Sequence, residues 1–210
     1  MVKVEINGKE YQMADTWEEI DMEQYCNLFY NLPKEAESED DVDKAAFTLR
    51  NEATIISRLL GEKDDFVQNL PIQVFAYLQH HAKFLYEIDS YLDSMQFYLK
   101  IDGKKYFMPL PEEMSLRQFI DSDMIMKEES KTQFIELLAC LLLPIGKDGK
   151  MEYDGNYKEL VPKIARMKAS EGLPMVYSFF KKKELSKNLS RASSRAMEEA
   201  NRLLQRTKGS

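Results

Sequence analysis

The sequence predicts an α+β fold dominated by helix and built from two tandem units. Three observations predict it. A hairpin pattern occurs twice, a helix-capping pattern follows each copy at nearly the same distance, and helical apolar spacing fills most of the remainder.

The first hairpin is VKVEINGKEYQM, residues 2–13. Val2, Val4 and Ile6 alternate with Lys3 and Glu5, and Asn7-Gly8 follows. Asn-Gly between alternating runs favours a two-residue type I′ turn, because both central residues take positive φ. Closing the strands on that turn sets Val4 opposite Tyr11 and Val2 opposite Met13, with all four on one face. Ile101-Asp102-Gly103-Lys104 repeats the turn, setting Leu99 opposite Tyr106 and Phe97 opposite Met108. Five of ten residues are identical between 4–13 and 99–108.

The likeness continues into a helix start. EEIDMEQY (18–25) aligns with EEMSLRQF (112–119). Asp21 and Ser115 stand where an N-cap belongs, and Gln24 and Gln118 follow three residues later, the spacing of a capping box. Met22 and Leu116, then Tyr25 and Phe119, become equivalent apolar positions on the first turn.

Further helices follow in each unit. After the acidic stretch PKEAESEDDVD (33–43), Val42, Ala46, Leu49, Ala53, Ile56 and Leu60 mark a helix over 42–60 that Gly61 ends. Pro71 fits the first turn of a helix to about residue 93, with Phe75, Leu78, Ala82, Leu85 and Leu92 on one side. In the second unit an apolar helix over 128–143 ends at Pro144. A glycine-rich loop (146–155) and a helix over 157–168 come next. After the break SEGLP, Pro174 opens a helix to about residue 205. The expected organisation is a first unit over 1–94, a second over 95–180, and a basic helical extension over 181–210.

Composition supports a folded, globular chain. It has 210 residues, 44% hydrophobic and 31% charged, enough for a real core. The net charge of −7 argues against nonspecific nucleic-acid binding by the whole chain. Cys26 and Cys140 are too few for a disulfide framework and read as reduced core thiols. MVKVEING has no apolar signal core, and LLACLLLPI (137–145) is too short for a bilayer, so an intracellular protein with no membrane partner is expected.

No motif carries chemistry. His80 and His81 are adjacent and diverge by about 100° on a helix, so they do not chelate one ion. PIGKDGK (144–150) lacks the spacing of a phosphate loop, and YDGNY (153–157) lacks the alternating ligands of a calcium loop. Nucleophile elbows are absent. The reading is a non-enzyme, with no catalytic residue, metal or cofactor.

Two features signal partners. From Lys181 onward there are nine basic and three acidic residues, a net +6 that leaves −13 for the rest. Leu185, Leu189, Ala192, Ala196 and Leu203 fall at steps of a narrow helical seam interrupted by Glu199. Lys181, Lys182, Lys183, Arg191, Arg195, Arg202 and Arg206 surround it. That tail suits another protein chain or, through its bases, nucleic acid; it also suits packing on its own body. The second feature lies in the hairpins. Glu5 falls opposite Glu10, but Lys100 falls opposite Lys105; two like-charged faces of opposite sign suit contact between the hairpins, within the chain or between copies, and also suit two separate solvated surfaces.

The hairpin I-x-G-K-x-Y (Ile6 to Tyr11), the start W-E-E-I-x-x-x-Q-Y (Trp17 to Tyr25), IISRLLG (55–61) and LPIQVFAYLQ (70–79) occur together. The pattern, over residues 4–120, resembles small structural and tail-assembly proteins of tailed bacteriophages, including phages of gut bacteria. The resemblance implies a virion component or assembly chaperone. Its partners would be tail, tape-measure or connector proteins, or further copies of itself. Its place would be the host cytoplasm during assembly, and the virion. A bacterial intracellular adaptor using the same surfaces is the alternative.

Overall fold

The computed structural model describes residues 1–33, 41–86, 97–146 and 149–181. The fold is α+β with helix predominant.

Both hairpins form in the expected register. Strands β1 (Val2–Ile6) and β2 (Lys9–Met13) pair Val2 with Met13, Val4 with Tyr11 and Glu5 with Glu10. Strands β3 (Tyr98–Ile101) and β4 (Lys104–Phe107) pair Leu99 with Tyr106 and Lys100 with Lys105. Met108 donates its amide to the Phe97 carbonyl at 2.9 Å, extending the predicted register by one pair. Both turns hold two consecutive positive-φ residues, Asn7 (51°) and Gly8 (77°), then Asp102 (49°) and Gly103 (79°). Asparagine and aspartate tolerate that region better than other non-glycine residues. Val4, Ile6, Tyr11 and Met13 are buried, and so are their counterparts Leu99, Ile101, Tyr106 and Met108.

Helix α1 (Met22–Phe29) starts at a complete capping box. Asp21 Oδ1 accepts the Gln24 amide at 2.7 Å, and Gln24 Oε1 accepts the Asp21 amide at 2.9 Å. Its C-terminal end is closed by Arg58 of helix α2 (Asp41–Leu59). Arg58 Nη1 donates to the carbonyls of Asn27, Leu28 and Tyr30. The rest of the guanidinium forks onto Asp64 at 2.7 and 2.8 Å and holds that carboxyl below its usual range. Helix α2 departs from expectation in its first half. Ala53, Ile56 and Leu60 are buried, but Val42, Ala46 and Leu49 are exposed, because no described element covers that end.

Helix α3 (Ile72–Ala82) continues as a single 3-10 turn over Lys83–Leu85. Phe75, Leu78, Ala82 and Leu85 are buried as their spacing predicts. Pro71 is the N-cap, one residue before the first turn. Leu92 and the boundary between residues 94 and 95 lie outside the described residues.

Three helices of the second unit differ from the sequence reading. Residues 128–143 do not make one helix: α4 (Leu116–Lys127) ends first, and α5 (Gln133–Leu141) begins after a break. Gln133 Nε2 donates to the Ile125 and Met126 carbonyls, so the break itself caps α4. Leu143–Pro144 then forms β5, an edge strand on β4 that completes the order β3-β4-β5. Proline is tolerated there because an edge strand leaves one side unpaired. The predicted helix over 157–168 is a 3-10 turn (Tyr157–Glu159) followed by the short helix α6 (Val161–Ala165). The SEGLP stretch does not break the chain. Helix α7, residues 169–181, passes through Gly172 and Pro174, and burial of Leu173, Met175, Val176 and Phe179 outweighs the local cost.

The two units share one apolar core. Met22 donates its amide to the Met167 carbonyl and Ala169 donates to the Ile20 carbonyl, both at 2.9 Å. Gly172 lies against Met22: a Cβ built there would stand 2.6 Å from Met22 Sδ. Tyr25 meets Phe134 with ring centroids 6.5 Å apart. Helix α1 is therefore covered by α5 and α7 of the other unit.

Candidate interaction surface

Helix α4 carries the exception to the packing of the second unit. Ser115 caps it, accepting the Gln118 amide at 3.2 Å. The reciprocal half of the expected box does not form. Gln118 turns inward, fully buried, and its Nε2 donates to the Cys140 and Leu141 carbonyls at 3.0 and 3.3 Å, closing the end of α5. Ser122 and Ile125 follow on the same buried side.

Rotating Gln118 inward turns the apolar side out. Leu116 is 76% exposed, Phe119 50%, Ile120 47% and Met124 57%. These four lie at i, i+3, i+4 and i+8, one stripe of a helix. A helix of an isolated soluble chain buries such a stripe and exposes its glutamine and serine. Here the polarity is reversed. Beside the stripe Asp123 and Lys127 pair with each other at 2.6 Å, and towards the two ends of the helix Glu112, Glu113, Glu128 and Glu129 outnumber Arg117. The sequence already marked Leu116 and Phe119 as apolar first-turn positions. What it lacked was the location of the α5 carbonyls that draw Gln118 inward.

The other predicted site residues are placed as follows. Glu5, Glu10, Lys100 and Lys105 are exposed, and Glu10 accepts an ion pair from Lys3 at 2.8 Å within its own hairpin. The hairpins belong to separate sheets, and no ion pair among the described residues joins their charged faces. Lys100 and Lys105 border a shallow groove of about 540 Å³ with Tyr98 and Ile145. Lys181 sits 5.7 Å from the centre of the Tyr177 ring. Lys182, Lys183, Leu185, Leu189, Arg191, Arg195, Arg202, Leu203 and Arg206 lie outside the described residues.

The buried chemistry near α4 is structural. Tyr153 donates its hydroxyl to Asp121 at 2.6 Å and stands 3.5 Å from Cys140 Sγ, tying the loop after β5 to α4 and α5. Burial pushes the Cys140 thiol up to about 11, against the Tyr153 contact that lowers it. Burial does the same for Cys26, also to about 11, opposed by a hydrogen bond to the Ile135 backbone. Both thiols stay protonated near neutrality and are poor nucleophiles. Among the described residues no three metal-ligating side chains gather, and no helix is long and apolar enough to cross a membrane.

No family model, curated protein or solved structure matches this chain.

Proposed function

We propose that the chain is a non-enzymatic structural or assembly protein of a tailed bacteriophage, acting through protein–protein contacts. The observation that carries the docking role is the outward apolar stripe of α4, an interaction surface at the place where the equivalent helix of the first unit is covered. The phage setting rests on the sequence resemblance. The partners are tail, tape-measure or connector proteins, met in the host cytoplasm during assembly and retained in a virion component.

The test joins genetics to binding. Portal, capsid or tape-measure genes beside this one are expected, and a purely metabolic neighbourhood overturns the setting. Full-length protein should capture a tail or connector protein encoded by a flanking gene, and Phe119→Lys/Met124→Lys should reduce capture at least about tenfold, the loss of two apolar contacts. Undiminished capture by that variant removes α4 from the role. Steep loss of binding in salt, with nucleic acid as the captured species, would instead favour phosphate contacts by the basic tail.

A further inference from the structure

Helix α1 shows what covers an apolar first turn in this fold. Met22 and Tyr25 are packed by α7 and α5 of the other unit. Their equivalents Leu116 and Phe119 stand open at the end of the tandem, as a terminal repeat leaves its outer face unpaired. The chain itself carries a segment whose chemistry complements that face. From Lys181 it has nine bases and three acids, while residues 112–131, α4 with four residues on either side, have six acids and three bases. The apolar residues Leu185, Leu189, Ala192 and Ala196 fall at four- and three-residue steps, the spacing that fits a facing helical stripe.

We propose that the α4 face is the docking site for the C-terminal segment of a second copy of this chain, with Leu185, Leu189, Ala192 and Ala196 set against Leu116, Phe119, Ile120 and Met124. The proposal rests on the reading of α4 as a protein-docking face and names its occupant. A second molecule is favoured over the same one because the equivalent apolar turn of α1 is covered by the other unit, and no described element of this chain stands in that place at α4. The sequence from Met175 to Lys208 has neither glycine nor proline, and residues 182–210 add 29 positions beyond the last described one. The acidic residues at the two ends of α4, Glu112, Glu113, Glu128 and Glu129, select a basic occupant over a neutral one.

The test uses two full-length double variants, Phe119→Lys/Met124→Lys on the face and Leu185→Asp/Leu189→Asp on the tail. Light scattering of the unaltered protein should rise with concentration from 24.6 kDa towards twice that mass. Each variant alone should self-associate at least about tenfold more weakly. An equimolar mixture should recover a heterodimer, because one variant keeps an intact tail and the other an intact face. Oxidised Ile120→Cys/Leu189→Cys protein should give a covalent dimer. An unaltered protein that stays monomeric, a mixture that does not recover, or a disulfide closed within one chain overturns the proposal. If self-association fails while capture of the flanking-gene product still depends on Phe119 and Met124, the occupant is wrong and the docking face stands. If both fail, the docking reading falls with it.

Discussion

Helices α1 and α4 follow the same kind of hairpin, the same turn chemistry and a side-chain cap at the same position, yet they bury opposite faces. In α1 the capping glutamine, Gln24, stays outside and completes the box, and Met22 and Cys26 go inward. In α4 the equivalent Gln118 goes inward to cap α5, and Leu116 and Ile120, the counterparts of Met22 and Cys26, go outward. A cap decides where a helix begins, because its hydrogen bonds reach only three residues. Rotation about the helix axis is decided by what waits on each side. For α1 that is the glycine surface of α7, which lets Met22 approach closely. For α4 it is a pair of carbonyls that costs about 1–3 kcal/mol to bury without a donor.

The largest test of this difference is truncation of the paired residues. Met22→Ala should cost about 2–5 kcal/mol, the range for emptying a packed core site. Leu116→Ala should stay within about 0.5 kcal/mol in the unassembled chain, as exposed sites do. Denaturant unfolding compares the two directly, and equal losses would refute the opposite burial. Gly172→Ala should cost about 1–3 kcal/mol by overpacking against Met22, read as a fall in Tm, and the combination with Met22→Ala should recover part of the loss. Gln118→Ala should cost about 1–2 kcal/mol because two α5 carbonyls lose their donor, whereas Gln24→Ala at the exposed box should cost about 0.5 kcal/mol.

The gentlest test is titration. Burial holds Cys26 and Cys140 at about 11, above an ordinary thiol at 9.0. The unfolded chain therefore loses its thiol protons first as pH rises. Their contribution is fully present below pH 9 and is lost through about pH 11, so stability should fall across that window. Thiol labelling at pH 7 should be slow in the native protein and complete after denaturation. Rapid native labelling would contradict the burial.

Much of the fold was legible because it is locally encoded. Asn7-Gly8 and Asp102-Gly103 require a positive-φ pair, that pair sets the register, and the register assigns every hairpin residue to a face. Gly61 ending α2 and Phe75, Leu78 and Ala82 facing the core follow from spacing in the same way. The misreadings share a cause. Residues 128–143 have helical periodicity throughout, but the Gln133 side chain serves α4 and Leu143–Pro144 serves β4, partners far along the chain. Pro174 signals a helix start, but α7 begins at residue 169 because the backbone there pairs with Ile20 and the packing with Met22 keeps the helix going. The candidate site was half visible. Leu116 and Phe119 stood out as apolar, but the sign of their exposure depended on two carbonyls at 140 and 141.

The sequence by itself determined the turns, the strand register, the helix starts at Asp21 and Ser115 and the repeated hairpin-and-cap pattern that relates them. Each depends on φ preferences and hydrogen bonds that span a few residues. Only the tertiary structure decided which side of α4 faces water, where α5 breaks and how α7 seals α1. Burial of a helix face is a competition among distant partners, and the winning contact, Gln118 onto the end of α5, exists only once the chain has folded.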